Sequence, residues 1–321
     1  MLIRPFPALA IAISLLCASA NAAYPDKPIR LVVPWAPGGS TDAVARAVAQ
    51  RMGETLGQSV VVDNRSGASG RIGTESVAKS PPDGYTIAIV ELPHAIAPSV
   101  FVKMQYDLLK DFAPISMLGT SPLMLFVSRS NYKNGDIHGF LKTARSSAEP
   151  LTLAHSGNGS ISHLSGELFS AAIQVKVNAI PYRGSAPALT DVAAGLVSGH
   201  FSTLASGTPL LAAGKVSALV VTGPSRLAGL PDVPTATEAG IPGMHFNQWW
   251  ALVAPATTPQ AIVQRLNKEV IAALAHPTTR ERLTTLGIEL KGSSPNELSV
   301  FLRSEVEHWG SVVRKAGITP E

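Results

Sequence analysis

The sequence predicts an α/β protein with mostly parallel sheets, and three observations carry that prediction. Short β-branched runs alternate with longer segments whose apolar residues recur at helical spacing, over nearly the whole chain. Small-residue loops rich in glycine and serine fall between a strand and the next helix. Once the first 22 residues are set aside, 299 of the 321 remain, enough for two lobes whose cores need no metal or disulfide.

Those first 22 residues read as a leader. Arg4 precedes an apolar run from Ala8 to Ala18, and Ala20-Asn21-Ala22 supplies small residues for cleavage. The pattern is that of a secretory signal peptide cut after Ala22, so the expected destination is the periplasm. The run is shorter than the roughly 20 apolar residues a resident membrane helix needs. Cys17, the only cysteine, lies inside the leader behind bulky Leu16, which argues against a lipid-modified first residue. No disulfide or thiolate chemistry is then expected of the mature chain.

The elements follow in order. Ile29–Val33 is a strand ending at Pro34, and Val44, Val48, Met52 and Leu56 form an apolar stripe on the helix that opens at Ser40 and stops at Gly57. Val60–Val62 starts the next strand, Ile72–Ala78 a short helix, and Tyr85–Val90 a third strand. Pro114–Val127 reads as one or two strands broken near Ser121-Pro122. Helices over Ile137–Ser147, Ser162–Ile173 and Pro187–Leu196 alternate with strands at Leu151–Ala154, Ala179–Tyr182, His200–Leu204 and Ala218–Thr222. Gly223–Gly243 is too rich in proline and glycine for regular structure beyond a helical turn near Thr235–Ala239. Trp249–Ala254 resumes strand character, and Gln260–Ala275 and Glu297–Lys315 are helical with charged outer faces.

Three loops carry candidate ligand chemistry. In Pro34-Trp35-Ala36-Pro37-Gly38-Gly39-Ser40-Thr41-Asp42, Gly38 and Gly39 can take positive φ and admit a ligand to the backbone, while Ser40 or Thr41 can cap the helix. The free N–H groups of the first turn then bind an anion without a charged side chain; a plain helix cap is the simpler alternative. His155-Ser156-Gly157-Asn158-Gly159-Ser160-Ile161-Ser162-His163 repeats the design, with His163 either a donor to the anion or a neighbour of the cap. Two such loops in separate halves suggest one ligand held between them. The loop Ser66–Gly73, with Ser69, can line the same cleft, and Arg183 after a strand can pair with a carboxylate or take part in a structural ion pair.

Other chemistries fit poorly. Lys and Arg number 26 against 22 Asp and Glu, and without Arg4 the net charge is +3 with no basic run, which is no nucleic-acid footprint but mildly favours an anionic ligand. Gly67, Gly70 and Gly73 lack the dinucleotide spacing, and no phosphate-binding loop motif occurs. The eight histidines are scattered and lack metal-ligand spacing, so neither metal nor cofactor is expected. A secreted hydrolase using Ser156 or Ser160 is the alternative from another class, but Gly159-Ser160-Ile161-Ser162 is no nucleophile elbow and no orienting carboxylate is evident. Trp249-Trp250 reads as core or hinge packing.

The motifs Tyr24–Ile29, Pro37–Asp42, Asp63–Arg65, Asp83–Tyr85, Gly157–Ser160, His163–Phe169, Pro181–Leu189 and Leu230–Thr235 resemble, in that order, the Bug family of extracytoplasmic solute receptors of tripartite tricarboxylate transporters. The resemblance spans essentially the whole mature chain. It implies a type II periplasmic binding fold, two α/β lobes joined by two crossovers with a ligand cleft between them. Lobe one would comprise residues 24–123 and 248–321, and lobe two residues 124–247. It implies a monomeric receptor that performs no chemistry, holds a small carboxylate by backbone N–H groups, and serves the membrane subunits of a transporter or, alternatively, a sensor. Carried onto this sequence, the ligand contacts are Gly39, Ser40, Thr41 and Asp42 in one lobe and Ser156, Gly157, Asn158, Gly159, Ser160 and His163 in the other. One departure stands out. Glu91-Leu92-Pro93-His94, expected as a loop facing the cleft, replaces the family's small polar residues. A carboxylate there repels an anion unless protonated or paired, which favours an amino acid, amide or aromatic acid over a plain dicarboxylate.

Overall fold

The computed structural model describes residues 24–132, 136–315 and 320; the leader, with Cys17 and the expected cleavage site, lies outside them. The strands are β1 (Ile29–Val33), β2 (Val60–Asn64), β3 (Thr86–Glu91), β4 (Phe112–Ser128), β5 (Leu151–His155), β6 (Val177–Pro181), β7 (Gly199–Thr203), β8 (Val216–Val221), β9 (Asn247–Pro255) and β10 (Glu289–Leu290). The helices are α1 (Ser40–Leu56), α2 (Arg71–Ala78), α3 (Leu92–Val100), α4 (Ile137–Ser146), α5 (Ile161–Ile173), α6 (Ser185–Ala193), α7 (Leu204–Ala212), α8 (Gln260–Ala275), α9 (Pro277–Thr285) and α10 (Pro295–Lys315).

Strand β4, 17 residues long, belongs to two sheets at once. Its first half pairs antiparallel with β9, which in turn pairs with β3 of the parallel trio β2-β1-β3. Its second half pairs antiparallel with β7 and β8, and β7 joins the parallel trio β7-β5-β6. The sheets are therefore mixed, each a parallel trio extended by antiparallel strands, rather than mostly parallel. Strand β4 is also continuous through Ser121-Pro122, where a break was expected. Pro122 faces Asn247, the first residue of β9, at the handover between sheets, where the missing proline N–H removes little of the ladder.

Alternation along the strands explains the layers. Leu31, Val33, Ile87 and Ile89 face α1, α8 and α9 in one core, whereas Val32, Ala88 and Val90 face a second core reaching α3 and α10. In the other sheet Met124 and Phe126 pack on α6, while Leu123, Leu125 and Val127 point to the side of α5. With both faces buried, the central strands need helices on either side, which is why strands and helices alternate in the sequence. The unexpected helix α3 puts Pro93 in its first turn, where a missing N–H is harmless. Glu91 is thus the last residue of β3, not part of a loop.

Candidate functional site

Five helices begin around one cavity between the two sheets, of about 640 Å³ including the solvent at its mouth. From the first sheet come the starts of α1 and α3; from the second come those of α5, α6 and α7, whose caps Ser160, Gly184 and Thr203 line the wall. A strand-to-helix junction leaves the first N–H groups of its helix without intrahelical partners, and several aimed at one space make it electropositive.

The first loop is held by Asp42. Its carboxylate accepts from the Gly38 N–H at 3.2 Å, from Arg46 Nε at 2.9 Å and from Asn64 Nδ2 at 3.0 Å. Burial pushes its pKa up, but the bonds from Arg46, Asn64 and Gly38 more than offset this and hold it below the usual carboxylate value. Asp42 lines the cavity, yet its oxygens shape the loop. Gly38 takes φ 89, whereas Gly39 sits at φ −84 and ψ 175, open to any residue. Gly39 itself is the cap, without a side-chain bond, so neither Ser40 nor Thr41 caps α1. The Thr41 hydroxyl turns instead to Glu91.

Glu91, one of two acids that line the cavity, is 3% exposed. Its Oε2 accepts from Thr41 Oγ1 and from Gln248 Nε2, both at 2.6 Å, and the Trp250 indole donates to Thr41 Oγ1 at 3.0 Å. Burial pushes the Glu91 pKa up to about 7 against the pull of Thr41, the Trp35 and Trp250 indoles and Gln248. Beneath it His94 takes the Glu91 N–H on Nδ1 at 3.1 Å and meets Thr74 Oγ1 through Nε2 at 2.8 Å; burial lowers its pKa to about 4, leaving it neutral. Trp249, also buried, donates to Glu305 at 2.7 Å and belongs to the core.

In the second loop the Ser160 hydroxyl accepts from the His163 N–H at 3.3 Å and caps α5. Ser156 and Ser160 both contact Ser162 Oγ, at 2.8 and 3.1 Å, and Ser156 reaches Ser185 at 3.4 Å. This hydroxyl cluster faces the cavity at the starts of α5 and α6. His163 accepts the Gly159 N–H at 3.2 Å and stacks on His155 with ring centres 4.5 Å apart, so it braces the loop.

The structure brings most of the sequence candidates together. Trp35, Ala36, Gly39, Ser40, Thr41, Asp42, Ser156, Ser160 and Arg183 line the cavity. Ser69, Gly157 and Asn158 line an adjoining opening that shares Trp35, Ser156 and Arg183. Gly159 and His163 line neither and act from behind the loop. Sequence reasoning missed Gln248, Thr203, Gly184 and Ser185. The last two were detectable as a further glycine–serine junction before a helix; Gln248 and Thr203, at strand ends without glycine, offered no such signal.

Contacts cross the cleft. The Ser40 N–H donates to Ser206 Oγ at 3.2 Å, and Ser69 Oγ donates to the Asn158 carbonyl. Ser69 and its neighbour Ala68 hold φ of 55 and 46, a conformation costing about 1 kcal/mol or more for each non-glycine residue. That strain aims the Ser69 hydroxyl across the cleft. Both loops thus face one space that these contacts bridge.

In sequence and fold the chain is similar to known binding proteins. Residues 44–318 match the family model described as tripartite tricarboxylate transporter family receptor. The chain is similar to the structure of the periplasmic binding protein BugD, at 35% identity over 93% of this chain and 100% of that one, with a TM-score of 0.89. It is similar to R. palustris Rpa4515 with adipate, at 38% identity over 93% and 100% with a TM-score of 0.89. It is similar also to MatC from Rhodopseudomonas palustris with bound malate, at 35% identity over 90% and 100% with a TM-score of 0.85. These neighbours are binding proteins rather than enzymes. The chain therefore belongs to the tripartite tricarboxylate transporter receptor family, the Bug proteins, and has the fold of its periplasmic solute-binding members.

Proposed function

We propose that this protein is a periplasmic receptor that closes on one small organic carboxylate and delivers it, as a monomer and without chemical change, to the membrane subunits of a tripartite transporter. The observation that carries the reading is the convergence of helix starts from two sheets on one cavity bridged by cross-cleft bonds. A carboxylate there meets backbone N–H groups from both sides only when the cleft is shut, so binding selects the closed form. The adipate and malate held by its relatives are carboxylates. On this reading residues 1–22 are removed on export, residues 24–123 with 248–321 form one lobe, and 124–247 form the other. The ligand lies against Trp35, Ser40, Thr41, Ser156, Ser160 and Arg183, with the Gly157–Gly159 loop and Ser69 closing over it.

A thermal-shift screen of ligand-stripped mature protein against mono-, di- and tricarboxylates, amino acids and aromatic acids tests the reading. A ligand at 100 times its dissociation constant adds about 2.7 kcal/mol of stability. A clear upward shift with one carboxylate class is expected; a flat response to all of them, with turnover of a generic ester, would replace the receptor by a hydrolase.

A further inference from the structure

The cavity wall is polarised from one lobe to the other. The starts of α5, α6 and α7, together with Arg183 at the mouth, lie on the side of the second sheet. On the first side the Gly38 N–H is bonded to Asp42 and the Ser40 N–H to Ser206, and on the second the Ser156, Gly157, Gly159 and His163 N–H groups are likewise engaged within their own loop. The first side carries a patch of acceptors next to the Trp35 indole, a buried donor in the same wall. Gln248, 4% exposed, gives its Nε2 to Glu91, so its Oε1 faces away from that bond and meets no donor among the described residues. The Thr41 and Gln248 bonds to the Glu91 carboxyl both fall on Oε2, the Trp35 and Trp250 indoles also lie within reach of it, and none of these four groups carries a positive charge. Asp42, the other acid in the wall, is bound to Arg46, which leaves that cation committed.

We propose that the physiological ligand is a monocarboxylate whose far end is a hydrogen-bond donor, an amide, amine or hydroxyl seated on Glu91 and Gln248. The proposal rests on the carboxylate-receptor reading above and adds an orientation to it. A buried acceptor without a donor is costly, and a second ligand carboxylate at this end adds further acceptors beside a carboxylate rather than relieving it. A donor at the same place satisfies Gln248 Oε1 and the Glu91 carboxyl together. The ligand's own carboxylate then lies against the starts of α5 and α6, near the Ser156–Ser162 hydroxyls.

The test is titration calorimetry at pH 8 on ligand-stripped mature protein with three length-matched sets. These are succinate, 4-aminobutanoate and succinamate; adipate, 6-aminohexanoate and adipamate; and terephthalate, 4-aminobenzoate and 4-hydroxybenzoate. In at least one set a donor-ended member should bind roughly tenfold or more tightly than its diacid. In Glu91→Gln, which keeps the shape and removes the charge, that preference should shrink or reverse as the diacid gains. Gln248→Met should weaken the donor-ended ligand while sparing the diacid. A diacid that binds tightest in every set would overturn the orientation and leave the receptor reading standing. The same holds for a donor preference that neither substitution alters. Absence of binding by all nine compounds would count against both.

Discussion

Replacing Glu91 by Gln should stabilise the ligand-free protein, and by an amount that depends on pH in a defined way. Glu91 has an ordinary pKa of 4.5 and a folded value of about 7 because it is buried between β3, β9 and α1. A raised carboxyl binds its proton more tightly in the folded than in the unfolded chain. Stability is therefore unaffected below pH 4.5 and is lost as pH rises from there to 7, after which the loss is constant. The difference between 4.5 and about 7 corresponds to about 3 kcal/mol. Gln has the same shape and can still accept from Thr41 and Gln248, so the variant should avoid most of this loss. Urea unfolding of both proteins from pH 4.5 to 8 reads the effect, because all other titrating groups cancel in the difference. The variant should be close to wild type near pH 4.5 and gain about 2 to 3 kcal/mol by pH 8. Parallel pH profiles would refute the claim that an ionisable Glu91 is buried in the cavity floor.

Other consequences concern closure, the first loop and acid stability. Gly159 holds φ 74, and a Cβ there would lie 2.8 Å from the Phe101 ring, over which Arg71 sits at 3.5 Å. Gly159→Ala should therefore prop the cleft open and weaken carboxylate binding roughly tenfold, the equivalent of one or two lost cross-cleft bonds; unchanged calorimetric affinity would contradict the closed geometry. Asp42→Asn can satisfy fewer of the three donors now on that carboxylate. It should cost about 1 to 2 kcal/mol in urea unfolding, little of it from the half-exposed Arg46 pair, and should weaken binding as well. His94 and His200 are buried and neutral, with pKa lowered from 6.5 to about 4 by burial. The unfolded chain takes up their protons first on acidification, so stability is lost as pH falls from 6.5 towards 4, by about 3 kcal/mol for each. In His200→Gln the acid limb of the stability profile should be shallower than in wild type, and an identical limb would exclude the assignment.

Much of this was legible before the fold was known, for identifiable reasons. Alternating strands and helices follow from burial on both faces, and β1, α1, β2 and α5 lie within a residue or two of their expected bounds. The first two cavity loops were legible because a helix start that admits a ligand favours small residues. Helices α3 and α7 were not, because Pro98 and Pro209 lie inside them and argue against helix from local chemistry alone. Tertiary packing overrides that preference: α3 is wedged against α10 and β3 and is buried along most of its length. Continuity of β4 through Pro114 and Pro122 was hidden for the same reason, since only the pairing shows that one strand serves two sheets. Gly39 illustrates the reverse error, a glycine expected at positive φ that adopts an ordinary extended conformation. Glu91 was visible as an unusual residue, but its partners Thr41 and Gln248 lie 50 and 157 positions away along the chain, beyond the reach of any spacing rule.

The central claim is that one carboxylate is enclosed between two lobes. Calorimetry paired with small-angle scattering on the ligand-stripped mature protein tests it most directly, using the strongest binder among the succinate, adipate and terephthalate sets. The account predicts one site per chain, a smaller radius of gyration on saturation, and both effects diminished in Gly159→Ala. Saturable binding with no compaction, or compaction with no dependence on Gly159, would contradict it.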